Sequence, residues 1–200
     1  MEEQEKIIYQ GNKSIPKNIL EEAQIALSYY PELENVAINF SYKNSIKKSF
    51  MQAQPQLGNL FKGKNRREYN IFISDTVKIE GEVFSMQEVP TEVLIGWLGH
   101  ELGHIMDYRD KTAAGLVIFG FRYITSKNHI KEAERAADIY AVTHGMGDYI
   151  LATKNFILNS STLSDEYKAR ISRLYLSPEE IIVLVNKLEE DLEKAEETSG

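Results

Sequence analysis

Two hundred residues, 42% hydrophobic and 26% charged, suffice for one domain with a substantial core. The formal charge of −7 lies almost wholly in residues 179–197, where eight acids face two lysines, and the near-neutral remainder argues against a general nucleic-acid binder. No cysteine is present, which excludes disulfides and thiolate zinc sites, and neither a signal-peptide pattern at Met1–Lys6 nor an apolar run of bilayer length occurs, so a cytoplasmic protein with no membrane partner is expected.

In chain order, Pro16 opens a first helix over about 18–30, and Pro31 lies just past its end. Residues 35–42, 49–54 and 69–74 are rich in β-formers and read as strands, with a short fourth at 79–84. Between residues 43 and 68, Lys43, Lys47, Lys48, Lys62, Lys64, Arg66 and Arg67 are opposed only by Glu68. Few aromatics interleave, so a solvated loop surface is expected there rather than a site for acidic ligands.

From Thr91 onward the pattern is helical, at about 91–108, 112–125, 129–144, 149–159, 165–175 and 178–196. The last helix opens on Ser177-Pro178-Glu179-Glu180, a capping serine, a first-turn proline and a capping-box glutamate. Its apolar stripe, Ile181 to Leu192, is expected to pack on its own domain, with a homodimer contact as the alternative. A strand-rich first half and a helical second half give an α+β fold class: a small N-terminal mixed sheet with helices, then a helical half carrying the site. Residues 1–145 are expected to form the domain proper, with 146–200 a helical extension packed on it.

The helix at 91–108 carries His100-Glu101-Leu102-Gly103-His104. Histidines four apart share one helical face, so both can grip one zinc ion, and Glu101 can reach a water on it. Gly96, Gly99 and Gly103 sit in the same helix, and each costs about 1 kcal/mol against alanine in a helix interior. Close approach of another element explains them best. Apolar residues on nearly every side bury this helix, so its polar groups need partners.

A catalytic zinc site requires a third protein ligand. Asp110 and His129 are candidates, but Glu134 is favoured. It lies four residues before Asp138 on one face of an alanine-rich helix, which suggests Glu134 on the metal and Asp138 orienting a ligating histidine. An oxyanion donor is sought among His144, Tyr140, Tyr167, Arg170 and Arg173. His144 is preferred, because Gly145 ends its helix and frees its direction.

His-Glu-x-x-His on one helix and Glu-x-x-x-Asp on a later one resembles the gluzincin metallopeptidases, and the compact layout is similar to the minigluzincins. The resemblance covers about residues 15–145 and implies a zincin-like fold and zinc-dependent hydrolysis of a peptide or protein substrate. It implies His100, His104 and Glu134 as ligands, Glu101 as general base and Asp138 as the partner of His100. It also implies that an upstream strand forms a sheet edge where an extended peptide can pair. The helical tail departs from the family's minimal form. A catalytically silent, protein-binding zincin-like domain is the alternative, although such a domain has no use for Glu101.

Overall fold

Alternation of apolar and polar residues along short strands shapes the first half of the chain, and the fold is α+β. The computed structural model describes residues 6–43, 46, 49–74, 76–79, 82–85, 89–160 and 163–199. Strands β1 (Ile7–Gln10), β2 (Lys13–Pro16), β3 (Ala37–Lys43), β4 (Met51–Pro55) and β5 (Glu68–Ser74) form a mixed sheet in the order β1-β2-β3-β5-β4. The β2–β3 and β3–β5 pairs are parallel, whereas the outer strands β1 and β4 are antiparallel to their neighbours.

The sheet buries one face. Ile38 and Phe40 pair with Tyr69 and Ile71, and all four are buried. The opposite face carries Asn39 opposite Asn70, joined by an amide hydrogen bond of 3.3 Å. Helix α1 (Leu20–Ser28) covers part of the apolar face, and its buried Ala23 and Ala26 let it approach closely.

Two features of this half differ from the expectations. The β1–β2 hairpin replaces the opening of the first helix, which begins only at Leu20 after a turn of 3₁₀ helix, Lys17–Ile19. Its turn is Gly11-Asn12, a two-residue hairpin signal, and Gly11 adopts φ +57°. In place of one strand at 79–84 the chain forms a second hairpin, β6 (Thr76–Ile79) and β7 (Glu82–Ser85). The lysines at 47 and 48 lie outside the described residues.

Helix α2 (Thr91–Arg109) runs through the middle of the molecule, buried almost continuously from Val93 to Met106. It packs on α1, on β4 and on two later helices, α4 (Lys127–Ala141) and α5 (Gly147–Asn159). On the strand side Trp97 stacks on Phe50 with ring centroids 4.2 Å apart, a contact contributing about 0.5–1.5 kcal/mol beyond area burial. Between α2 and α4 lies α3 (Ala113–Thr125), capped by Thr112 through the backbone N–H of Gly115.

The helix expected over 129–144 ends at Ala141, and a π turn (Val142–Met146) carries the chain into α5, with Gly145 at φ +88° forming the kink. Helix α6 (Asp165–Leu174) follows, and α7 (Pro178–Ser199) packs on α5. The predicted capping box forms: Ser177 N–H donates to Glu180, and Glu180 N–H donates to Ser177 Oγ. Ile181 is fully buried, but the apolar stripe of α7 has left the core by Leu192, which is 66% exposed.

Candidate metal centre

The site grows from the surface of α2. Gly103 has its missing side chain directed at α4, where a Cβ would stand 2.5 Å from the carbonyl oxygen of Ala137. That oxygen is backbone and cannot swing aside. Glycine therefore permits the two helix axes to approach closely enough for side chains of α4 to reach the histidines. Gly103→Ala is expected to destabilise the fold by about 1–3 kcal/mol and to weaken metal retention, read by denaturant melts and metal content. An unchanged midpoint would show that the helices can separate without cost.

One turn from that contact, His100 and His104 project toward Glu134. The Nε2 atoms of His100 and His104 stand 3.1 and 3.4 Å from the same carboxylate oxygen, Glu134 Oε2. All three side chains are buried, and one ligand atom from each lies within 4.8 Å of the others. This group could hold a metal ion. The other carboxylate oxygen of Glu134, Oε1, accepts a hydrogen bond from the Tyr123 hydroxyl on α3.

A second layer fixes His100. Its Nδ1 lies 2.8 Å from Asp138, which is fully buried. Asp138 also receives the ammonium of Lys154 on α5, 2.9 Å from both carboxylate oxygens, and the backbone N–H of Leu176 at 3.0 Å. Lys154 in turn lies 4.3 Å from the ring centre of Tyr175, whose ring also faces His100. His104 is held differently. It stacks on Tyr108, and its buried Nδ1 has no hydrogen-bond partner among the described residues.

Charge is tightly managed in this enclosure. Burial opposes ionisation of Glu134, yet the imidazoles of His104 and His100 hold its carboxyl well below the usual range. Asp138 is likewise held low, because Lys154 and His100 outweigh its own burial. For His100 burial pulls the pKa down, but hydrogen bonds to Asp138 and Glu134 prevail and push it up to about 10. Without a cation, then, a proton on His100 and the Lys154 ammonium together offset the two carboxylates, and a metal taken up at His100 displaces that proton.

Glu101 faces the strand side of α2, where its Oε2 accepts a hydrogen bond from the backbone N–H of Ala53. Burial is the main cause raising its pKa above the ordinary carboxylate value. Ala53 sits on β4, the edge of the sheet among the described residues. Ser74 N–H bonds Phe50 O and Gln56 N–H bonds Glu68 O, so by antiparallel alternation Met51, Ala53 and Pro55 turn their backbone groups outward. A cavity of about 50 Å³ opens beside Met51, bounded by Trp97, His100 and Glu101 of α2 and by Tyr167, Ile171 and Tyr175.

Of the remaining sequence candidates Tyr167 borders this cavity, whereas Asp110, His129, His144 and Tyr140 are engaged elsewhere. Asp110 uses its carbonyl to accept from Lys64, and His129 packs its ring on Phe119. His144 stacks on Tyr30, with its ring nitrogens engaged by Tyr140 O at 2.7 Å and Glu32 at 3.3 Å, so it is not offered to the cavity. Tyr140 is close to that histidine, with ring centroids 6.3 Å apart. Tyr123, Lys154 and Tyr175 are site residues that motif reading passes over. Lys154 had a signal: it falls on the buried stripe of α5 with Ile150, Thr153 and Ile157, where a lysine needs an anion. Compared with protein-family models, curated proteins and solved structures, the chain finds no match.

Proposed function

We propose that the chain is a zinc-dependent peptidase of gluzincin type, with His100, His104 and Glu134 as ligands. The observation that carries this reading is the convergence of two imidazole Nε2 atoms on one carboxylate oxygen, with Glu101 alongside. Ligand atoms bound tetrahedrally at about 2.0–2.1 Å stand about 3.3 Å apart. The separations here are 3.1 and 3.4 Å. Two imidazoles and a carboxylate, with no thiolate in the chain, form a donor set suited to catalytic zinc.

When bound, zinc would supply the Lewis acidity that acidifies a water and polarises a carbonyl. The protein's own groups do the rest. Glu101 takes a proton from the attacking water and returns it to the leaving amine, a task suited to a carboxylate whose pKa burial has raised. The Ala53 N–H steadies Glu101 through one oxygen, Oε2. Asp138 holds His100 by Nδ1, so that Nε2 faces Glu134 Oε2, where these residues would hold an ion. The outward carbonyl of Ala53 offers an extended substrate a place to pair along β4. Tyr167 and Tyr175, which border the cavity, replace His144 as candidate oxyanion donors.

The cavity has room for small solutes and not for a peptide. Hydrolysis of a peptide therefore requires α6 and Tyr175 to move aside. Metal analysis of protein purified without chelators tests the ligand set. Wild type is expected to carry about one zinc per chain and Glu134→Ala less than about a tenth of that. Equal zinc in both would remove Glu134 from the coordination sphere, and zinc without peptide hydrolysis would favour the silent binding domain.

A further inference from the structure

Helix α3 is built inside out. Leu116, Phe119 and Tyr123 turn one flank toward the core, and Tyr123 reaches Glu134 from there. The flank facing solvent is also apolar: Val117 is 55% exposed, Ile118 53%, Phe121 68% and Ile124 85%. At 100° per residue these four fall within about a third of the helix circumference, with no charged residue among them. A soluble helix of ordinary pattern would carry polar side chains on that arc.

The charge around this helix runs against that of the chain. Residues 111–131 contain four basic side chains and no acid, in a protein of net charge −7, although Lys111 pairs with Asp107 just before them. Residues 56–67 again contain four bases and no acid, with Lys62 3.8 Å from Glu68 just after them. The two segments touch: Lys64 donates to the carbonyl of Asp110, and Arg67 donates to that of Lys111. The second segment also leaves large apolar side chains in water, Leu57 at 80% and Phe61 at 82% exposure. Lys64 and Arg66 in this segment, and Arg122 and Lys127 in the other, are exposed as well.

We propose that α3 and the 56–67 loop form a docking surface for an anionic lipid bilayer. Aliphatic side chains backed by basic ones match the layered chemistry of such a membrane, acyl chains beneath anionic headgroups. The alternatives fit less well. Apart from Phe61 and Phe121 the exposed apolar side chains (Leu57, Val117, Ile118, Ile124) are aliphatic and offer nothing to stack on a nucleobase, and a second copy meeting face to face would set one basic flank against another. No described helix is long and apolar enough to cross a membrane, but adsorption needs only an apolar face at the interface. The proposal differs from the expectation of no membrane partner. It stands independently of the peptidase reading.

Vesicle sedimentation of the full chain tests it, using phosphatidylcholine vesicles in which about a third of the lipid is phosphatidylserine, against phosphatidylcholine alone. Wild type should pellet with the anionic vesicles and leave them at high salt. Phe121→Ser with Ile124→Ser, and separately Arg122→Glu with Lys127→Glu, should each lower the partition coefficient about tenfold or more. Both pairs are exposed, and an unchanged thermal melt checks that the fold survives. Protein that stays in the supernatant, binds both vesicles equally, or pellets regardless of the substitutions would overturn the proposal. So would self-association abolished by Phe121→Ser and Ile124→Ser without vesicle binding, which would assign the face to a second copy.

Discussion

Glu101→Gln is expected to keep its metal and lose about two to four orders of magnitude in kcat, with KM little changed. Glutamine has nearly the shape of glutamate, and its amide oxygen can still accept from Ala53 N–H, so the edge strand stays in place. Only the basicity is lost. The same change takes a charge out of a buried position whose surroundings already push the proton on, so the variant should be at least as stable as the parent. A rate for hydrolysis of a peptide library within twofold of wild type would exclude Glu101 as the base. Loss of metal along with activity would instead mean that Glu101 helps hold the site together.

Lys154→Met should produce the largest stability effect. Lys154 is 5% exposed, and its ammonium bonds both oxygens of a fully buried carboxylate. Methionine fills the stem's volume but leaves Asp138 with only His100 and the Leu176 N–H. Breaking a buried pair on one side costs about 3–5 kcal/mol, whereas removing both charges together can be close to neutral. A double-mutant cycle therefore separates the contributions. Lys154→Met with Asp138→Asn is expected to recover much of the lost stability while binding zinc about 10–100-fold more weakly, because His100 has lost its anionic partner. If the double variant is no more stable than Lys154→Met alone, the pairing of Lys154 with Asp138 is not what the single change breaks.

How far the sequence reaches can be read from particular residues. The spacing of His100 and His104 fixes their common face once α2 is a helix, and Gly103 points to an element lying close to it. Glu134 and Asp138 were readable because two acids in an alanine-rich stripe call for compensation. The sequence could not say that Asp138 would share Lys154 and the Leu176 backbone, since those contacts depend on how α5 and the segment after α6 return over α2. Tyr123 was hidden for a related reason. Its helix is apolar on both flanks, so periodicity does not reveal which side faces inward. The opening hairpin was obscured by Pro16, which suits a strand end as well as a helix start.

Helix α2 bears both histidines and is enclosed by sheet and helices along most of its length. No partial fraying exposes its middle turns, since every neighbour that would have to peel away belongs to the same core. A captured ion, by contrast, need wait only for the displacement of α6 and Tyr175 that admits a peptide. Its residence time should therefore be shorter than the lifetime against unfolding, which slow amide exchange at Leu102 and His104 should report.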